Sequence, residues 1–138
     1  MRSPQELTER FRSEGLKVTP QRQLLFSLLH NNTEHPTAEA LYSTACKQMP
    51  GISLRTVYQT LSDLTSMGEL GQVSIDNGPA RFDPNITDHP HAVCDICGAI
   101  FDIHVDGTAK LATDIDNGFT PSSMSIVYHG SCASCVAA

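Results

Sequence analysis

Two C-x-x-C pairs, Cys94/Cys97 and Cys132/Cys135, constrain this chain more than any other feature, because they offer four thiols to one soft cation. Two thiolates three residues apart grip a metal from a tight turn, and two such turns complete a closed tetrahedral zinc site with no position open for chemistry. The pattern predicts structural zinc on all four. The 34 residues between the pairs (98–131) exceed a usual zinc-ribbon interval and predict a strand-helix-strand insert clamped by the metal. The alternatives are two disulfides, a redox dithiol and an iron-sulfur cluster. Disulfides suit a secreted chain, whereas Met1-Arg2-Ser3-Pro4 leads into a polar helix without an apolar signal core, and no run reaches membrane length. The expected location is cytoplasmic. Cys46 stands alone in a helical stretch and reads as a small buried hydrophobe.

Charge divides the chain in two. Residues 1–70 carry seven Lys/Arg and seven Asp/Glu, while residues 71–138 carry two and eight, so the net charge of -6 falls entirely in the second half. That split predicts two modules. An acidic total disfavours nonspecific nucleic-acid binding, yet a neutral first half with cations on one face still suits DNA.

Helix signals fill the first half. Ser3-Pro4-Gln5-Glu6 has capping-box spacing, with Leu7 and Phe11 at i,i+4 and Gly15 at the end. Thr19-Pro20-Gln21-Arg22 opens a second helix with a Leu24, Leu25, Leu28, Leu29 stripe. A third starts near Thr37 and buries Ala38, Leu41, Tyr42 and Ala45. Ser53 caps a fourth, with Leu54, Val57, Leu61 and Leu64 inward, Arg55, Thr56, Gln59 and Ser62 on the other face, and Gly68 at the C-cap. Residues 71–75 and 80–83 flank a turn-rich 76–79 and predict a hairpin. Short helices followed by a hairpin are the order of a winged helix-turn-helix, whose last helix enters the major groove. Arg55, Thr56, Tyr58 and Gln59 are the candidate DNA contacts, although a plain solvated face has the same composition.

Residues 84–88 read as a hinge between a winged-helix domain (1–83) and a second domain (89–138). In the latter, Ala99–Val105 and Ser123–Tyr128 alternate as strands and Thr108–Ile115 reads as a short helix, an α/β half that would pair through its sheet into a homodimer. The fold class is therefore α+β. His89 and His91, at strand spacing, reach one ion together. Asp83, Asp102 and His35 lie elsewhere in the chain, and residue chemistry alone leaves open whether all five meet or serve as loop caps and surface charge. Such a set suits iron or manganese better than a thiolate-selected metal.

The chain resembles the ferric-uptake-regulator family along nearly its full length, through Thr19-Pro20-Gln21-Arg22, His35-Pro36-Thr37-Ala38, Ser53 with Thr56-Val57-Tyr58, Arg81-Phe82-Asp83, Asp88-His89 with His91, and the paired C-x-x-C. It is most similar to the family's peroxide-sensing branch. That resemblance implies a regulatory Fe(II) or Mn(II) site on His35, Asp83, His89, His91 and Asp102, beside the structural zinc. Iron-uptake members commonly have glutamate at the place of Asp102, nickel sensors a histidine-dominated site, and zinc-uptake sensors a cysteine near the hinge. Met124 replaces a histidine of many iron-uptake members, and Gln59-Thr60-Leu61-Ser62 lacks an arginine that several relatives carry. The implied output is repression from a palindromic operator. Peroxide reacting at iron would oxidise His35 or His89, release the DNA and derepress peroxide-defence genes, while manganese would support repression alone.

One ion bound by both halves would fix their relative angle, and so the spacing of two recognition helices in a dimer, a coupling of typically ~1 to 3 kcal/mol. The competing readings are an iron-uptake or nickel-responsive repressor of the same family, a non-haem iron oxygenase or thiol oxidoreductase, and a zinc-stabilised dimerisation adaptor. An enzyme would need an open, reusable site and leaves the helix-hairpin module without a role. The expectation is a stoichiometric sensor, not an enzyme.

Overall fold

The computed structural model describes residues 1–75, 78–106, 118–120, 122 and 124–137, which divide into two compact units, Met1–Ile86 and Thr87–Ala138. In the first, helices α1 (Pro4–Ser13), α2 (Pro20–Leu29), α3 (Ala38–Gln48) and α4 (Leu54–Ser66) precede strands β1 (Gly71–Val73) and β2 (Arg81–Asp83). Each helix begins where its cap signal stands. The side chains of Ser3, Thr19, Thr37 and Ser53 accept the backbone N–H of Glu6, Arg22, Ala40 and Thr56, satisfying donors that the first turn leaves without a partner.

At α1 the capping box is complete, since the Ser3 backbone N–H also donates to the Glu6 carboxylate at 2.9 Å. That bond holds the Glu6 pKa below the ordinary carboxylate value. A carboxyl whose folded pKa is depressed stabilises fully above its unfolded value and loses that contribution as pH falls through the folded one. Glu6→Gln should therefore flatten the acid side of the stability profile by lowering the urea midpoint at neutral pH while leaving the most acid midpoints nearly unchanged.

Leu7 and Phe11 of α1, Leu25, Phe26 and Leu29 of α2, Leu41 and Ala45 of α3, and Val57, Leu61 and Leu64 of α4 converge on one core closed by Leu70 and Phe82. Phe11 and Phe26 meet edge to face, with centroids 4.8 Å apart. Three details differ from the sequence reading, the first being that Tyr42 packs at the margin of the core rather than within it. Leu54 is substantially exposed, because as the first residue of α4 it precedes the turn that packs, and the α2 stripe centres on Leu25, Phe26 and Leu29 while Leu24 and Leu28 pack at the margin. Polar ties then lock the helices. Buried Glu69, just beyond α4, receives the Arg10 guanidinium of α1 and the Arg2 backbone N–H, and Arg22 of α2 pairs with Asp63 of α4 at 2.8 Å.

β1 and β2 pair antiparallel with Gln72 opposite Phe82, which forms the expected hairpin; residues 76 and 77 of its turn lie outside the described residues. Four helices followed by this hairpin make a winged helix-turn-helix, with α4 as the helix before the wing.

The second unit is a three-stranded sheet ordered β4-β3-β5, followed by a one-turn helix α5 (Ala133–Val136). β3 (His91–Cys94) runs antiparallel to β4 (Ile100–Asp102) and parallel to β5 (Val127–Gly130). The sequence reading had β4 longer and β5 earlier, at Ser123–Tyr128. The parallel register Cys94↔Gly130 moves β5 to the residues just ahead of Cys132. The expected helix at Thr108–Ile115 lies outside the described residues. Among the described residues, no helix is long and apolar enough to cross a membrane.

Candidate metal centres

Register builds the sulfur cluster. Parallel pairing of β3 with β5 brings the end of both strands to one sheet edge, where the Asp95 N–H donates to the Gly130 carbonyl at 2.8 Å. The chain then turns at Cys94–Cys97, with Gly98 at φ 75°, a left-handed position natural to glycine, and its N–H returning to the Cys94 carbonyl at 2.9 Å. On the other side Cys132 caps α5, whose single turn carries Cys135 back beside it. The four Sγ atoms lie within 4.8 Å of one another, and none of these cysteines is in a disulfide.

Zn–S bonds of about 2.3 Å in a tetrahedron place sulfurs about 3.8 Å apart. Cys97 and Cys132 Sγ stand 3.8 Å apart. Hydrogen bonds from the backbone N–H groups of Cys97 and Cys132 pull the Cys94 thiol down to about 6, so one ligand is a ready thiolate, whereas the Cys132 side chain pushes Cys135 up to about 12. Four cysteines this close fit a divalent cation, which would hold all of them deprotonated.

A second donor group occupies the same unit. His91 opens β3 directly opposite Asp102 at the end of β4, and its Nε2 lies 3.3 Å from Asp102 Oδ1. His89, just ahead of the strand, sets its Nε2 2.8 Å from that same oxygen, with the two imidazoles 4.4 Å apart. His89 Nδ1 lies 2.5 Å from the Thr87 carbonyl, which only accepts, so Nδ1 carries the proton. Nε2 is then the His89 nitrogen turned to the Asp102 carboxylate. Two imidazole nitrogens and a carboxylate oxygen gathered at one point form a compact donor group, and carboxylate with imidazole suits iron or manganese.

The first unit holds a matching pair. His35 and Asp83 are both buried, with His35 Nε2 3.1 Å from Asp83 Oδ2. His35 sits at φ 51° in the left-handed region, rare for a residue with a Cβ. Strand β2 holds it there, since Arg81 Nη1 donates to the His35 carbonyl at 3.0 Å and the Phe82 N–H to the Pro36 carbonyl at 3.0 Å. The Arg81-Phe82-Asp83 run thus serves the His35 loop as well as the wing. Sequence reasoning found His35 and Asp83 but missed Arg81 as their support, for which its place two residues before Asp83 was the available signal.

On α4, Arg55 is exposed and engaged by no hydrogen bond or ion pair among the described residues. Exposed Tyr58 donates its hydroxyl to Glu39 of α3, which raises the Tyr58 pKa and lowers that of Glu39. Thr56 shares a hydroxyl hydrogen bond with Ser53, and Gln59 Nε2 donates to Asp63.

A winged helix-turn-helix joined to a unit with a four-thiol cluster and imidazole-carboxylate donors defines a metal-binding transcriptional regulator. The ferric uptake regulator family model matches residues 13–129, and the chain is 32% identical over 133 residues to the peroxide operon regulator of Bacillus subtilis (strain 168), covering 94% of this chain and 91% of that protein. The chain belongs to the ferric uptake regulator family; members are transcriptional regulators, and it is not an enzyme. The ferric uptake regulator Fur of Helicobacter pylori, described as having three functional metal-binding sites, shares the fold at TM-score 0.80 and 18% identity, over 96% of this chain and 90% of that one. PerR from Streptococcus pyogenes, described in terms of peroxide sensing and gene regulation, aligns at TM-score 0.56 and 26% identity, over 98% and 94%.

Proposed function

We propose that this chain is a cytoplasmic, metal-dependent repressor that binds palindromic operator DNA as a homodimer and responds to peroxide. The observation that carries it is Asp102 Oδ1 facing Nε2 of both His89 and His91 while His89 Nδ1 is committed to a carbonyl. Such a donor group retains a divalent ion reversibly, as a sensor requires, whereas the sulfur cluster would hold zinc permanently.

In this reading His35 and Asp83 from the winged-helix domain and His89, His91 and Asp102 from the second domain bind one Fe(II) or Mn(II). Residues 1–83 bind DNA, 84–88 form the hinge and 89–138 dimerise. Bound iron would supply the redox chemistry through which peroxide oxidises His35 or His89. An oxidised imidazole is a poorer donor, so the domains lose their common ligand and the DNA-competent arrangement loses its advantage. Asp102, rather than the longer glutamate of iron-uptake relatives, and the relatives named for peroxide support this branch over an iron-uptake function.

Arg55, Thr56, Tyr58 and Gln59 face the operator, and two copies of α4 meet half-sites about one helical turn apart or a multiple of it. The test is operator binding by the zinc-loaded protein with Fe(II), with Mn(II) and with neither. Binding should need one of the two metals, and metal-independent binding contradicts the switch. Arg55→Ala should weaken the Mn(II) form's binding and its salt dependence with metal content unchanged; unchanged affinity after substitution of all four residues would place the contact on another surface.

A further inference from the structure

Gln59 is the terminus of a chain of contacts running across three helices. The Arg22 guanidinium lies 5.3 Å over the ring of Phe11, donates through Nη1 to the Lys17 carbonyl at 3.1 Å, and pairs through Nη2 with Asp63 Oδ2 at 2.8 Å. Both partners of that pair are largely shielded, with side chains 13% and 17% exposed. The remaining carboxylate oxygen, Asp63 Oδ1, receives Gln59 Nε2 at 3.1 Å, one turn away on α4. A carboxylate oxygen accepts and does not donate, so only the nitrogen of the Gln59 amide can face it. Because the packed Arg22 holds Asp63 in place, the orientation of an exposed amide is set from the interior.

We propose that Asp63 makes Gln59 a reader of adenine: with its nitrogen held against Asp63, the amide presents its carbonyl oxygen to the major groove. This rests on the operator-binding reading above. In the groove adenine offers an N6 amino donor beside the N7 acceptor, whereas guanine offers two acceptors. An outward carbonyl oxygen accepts from N6, and the second amide hydrogen of Gln59 can donate to N7. Against guanine O6 the same oxygen meets another acceptor. Cytosine has an amino donor but no N7, and so completes half of the pairing. Asp63 touches no base and is a positioning residue.

Selection of operators from a randomised palindromic library, with the Mn(II)- and zinc-loaded protein, tests this. The wild-type protein should select adenine over guanine by about tenfold at one position in each half-site, as one bidentate contact supports. Gln59→Ala should flatten that position alone. Asp63→Asn is nearly isosteric and keeps one oxygen for Arg22, but turns an N–H towards Gln59; the amide should reverse, put its NH2 outward and shift the same position towards guanine. Asp63→Ala, which leaves the amide unheld, should reduce the preference to about twofold or less, and supports the proposal even if the first variant is poorly folded. Adenine preference unchanged in both Asp63 variants, or an enriched operator with no position sensitive to Gln59→Ala, overturns the inference and leaves the repressor reading intact. Failure of the wild-type protein to enrich any sequence overturns both.

Discussion

Cys94→Ser should abolish stoichiometric zinc and unfold the second unit. Cys94 is the buried member of the sulfur cluster, ends β3, and receives the Cys132 N–H at 3.3 Å, so its sulfur joins the two turns that carry the other ligands. Among the described residues, little else holds this unit together. Among its described residues Pro90, Cys94 and Ile100 are the buried apolar side chains, each worth at most about 1.5 to 3 kcal/mol, whereas structural zinc contributes roughly 10 to 16 kcal/mol of apparent binding energy in small domains. The first unit has its own core of helix-packed leucines and phenylalanines and should keep its helical signal. Zinc content by elemental analysis, far-ultraviolet dichroism and solution mass read the three outcomes. Native zinc and an unchanged dimer mass in the variant would contradict a structural role.

What the sequence disclosed follows the range over which each signal acts. All four helix starts were legible, because a cap hydroxyl and the N–H it accepts are three residues apart, and so was the hairpin between β1 and β2. The cysteine spacing announced four thiols that the structure does bring together. Contacts set by distant partners were hidden. β3 is only four residues long and exists through pairing with β4 and β5, so His91 was placed at strand spacing without the strand itself being recognised. Burial of Glu69 depends on Arg10, 59 residues away, and the locking of Asp63 on Arg22, 41 residues away. The five regulatory residues came from family resemblance. Spacing alone supports only His89 with His91, since Asp102 reaches them through sheet register and His35 reaches Asp83 through a left-handed loop that Arg81 holds.

The second large effect separates two metals that the same residues should bind. Loaded with Fe(II), the protein should lose operator binding after a modest dose of peroxide; loaded with Mn(II), it should keep it, because both ions suit imidazole and carboxylate donors while only iron readily supplies the oxidising chemistry. His89 lies beside Asp102 and has its ring orientation fixed by Thr87, and His35 is fully buried against Asp83, so both imidazoles would be held in place for the oxidation that bound iron would supply.

Peptide mass spectrometry on the sample used for operator binding, before and after peroxide, tests that claim most directly. The account predicts the mass of one added oxygen atom on a peptide containing His35 or His89 in the Fe(II) protein, in proportion to the DNA released, and an unmodified, DNA-bound Mn(II) protein. Equal peroxide sensitivity with both metals, or modification confined to Cys94, Cys97, Cys132 and Cys135, would contradict it and assign the sensing to the thiols.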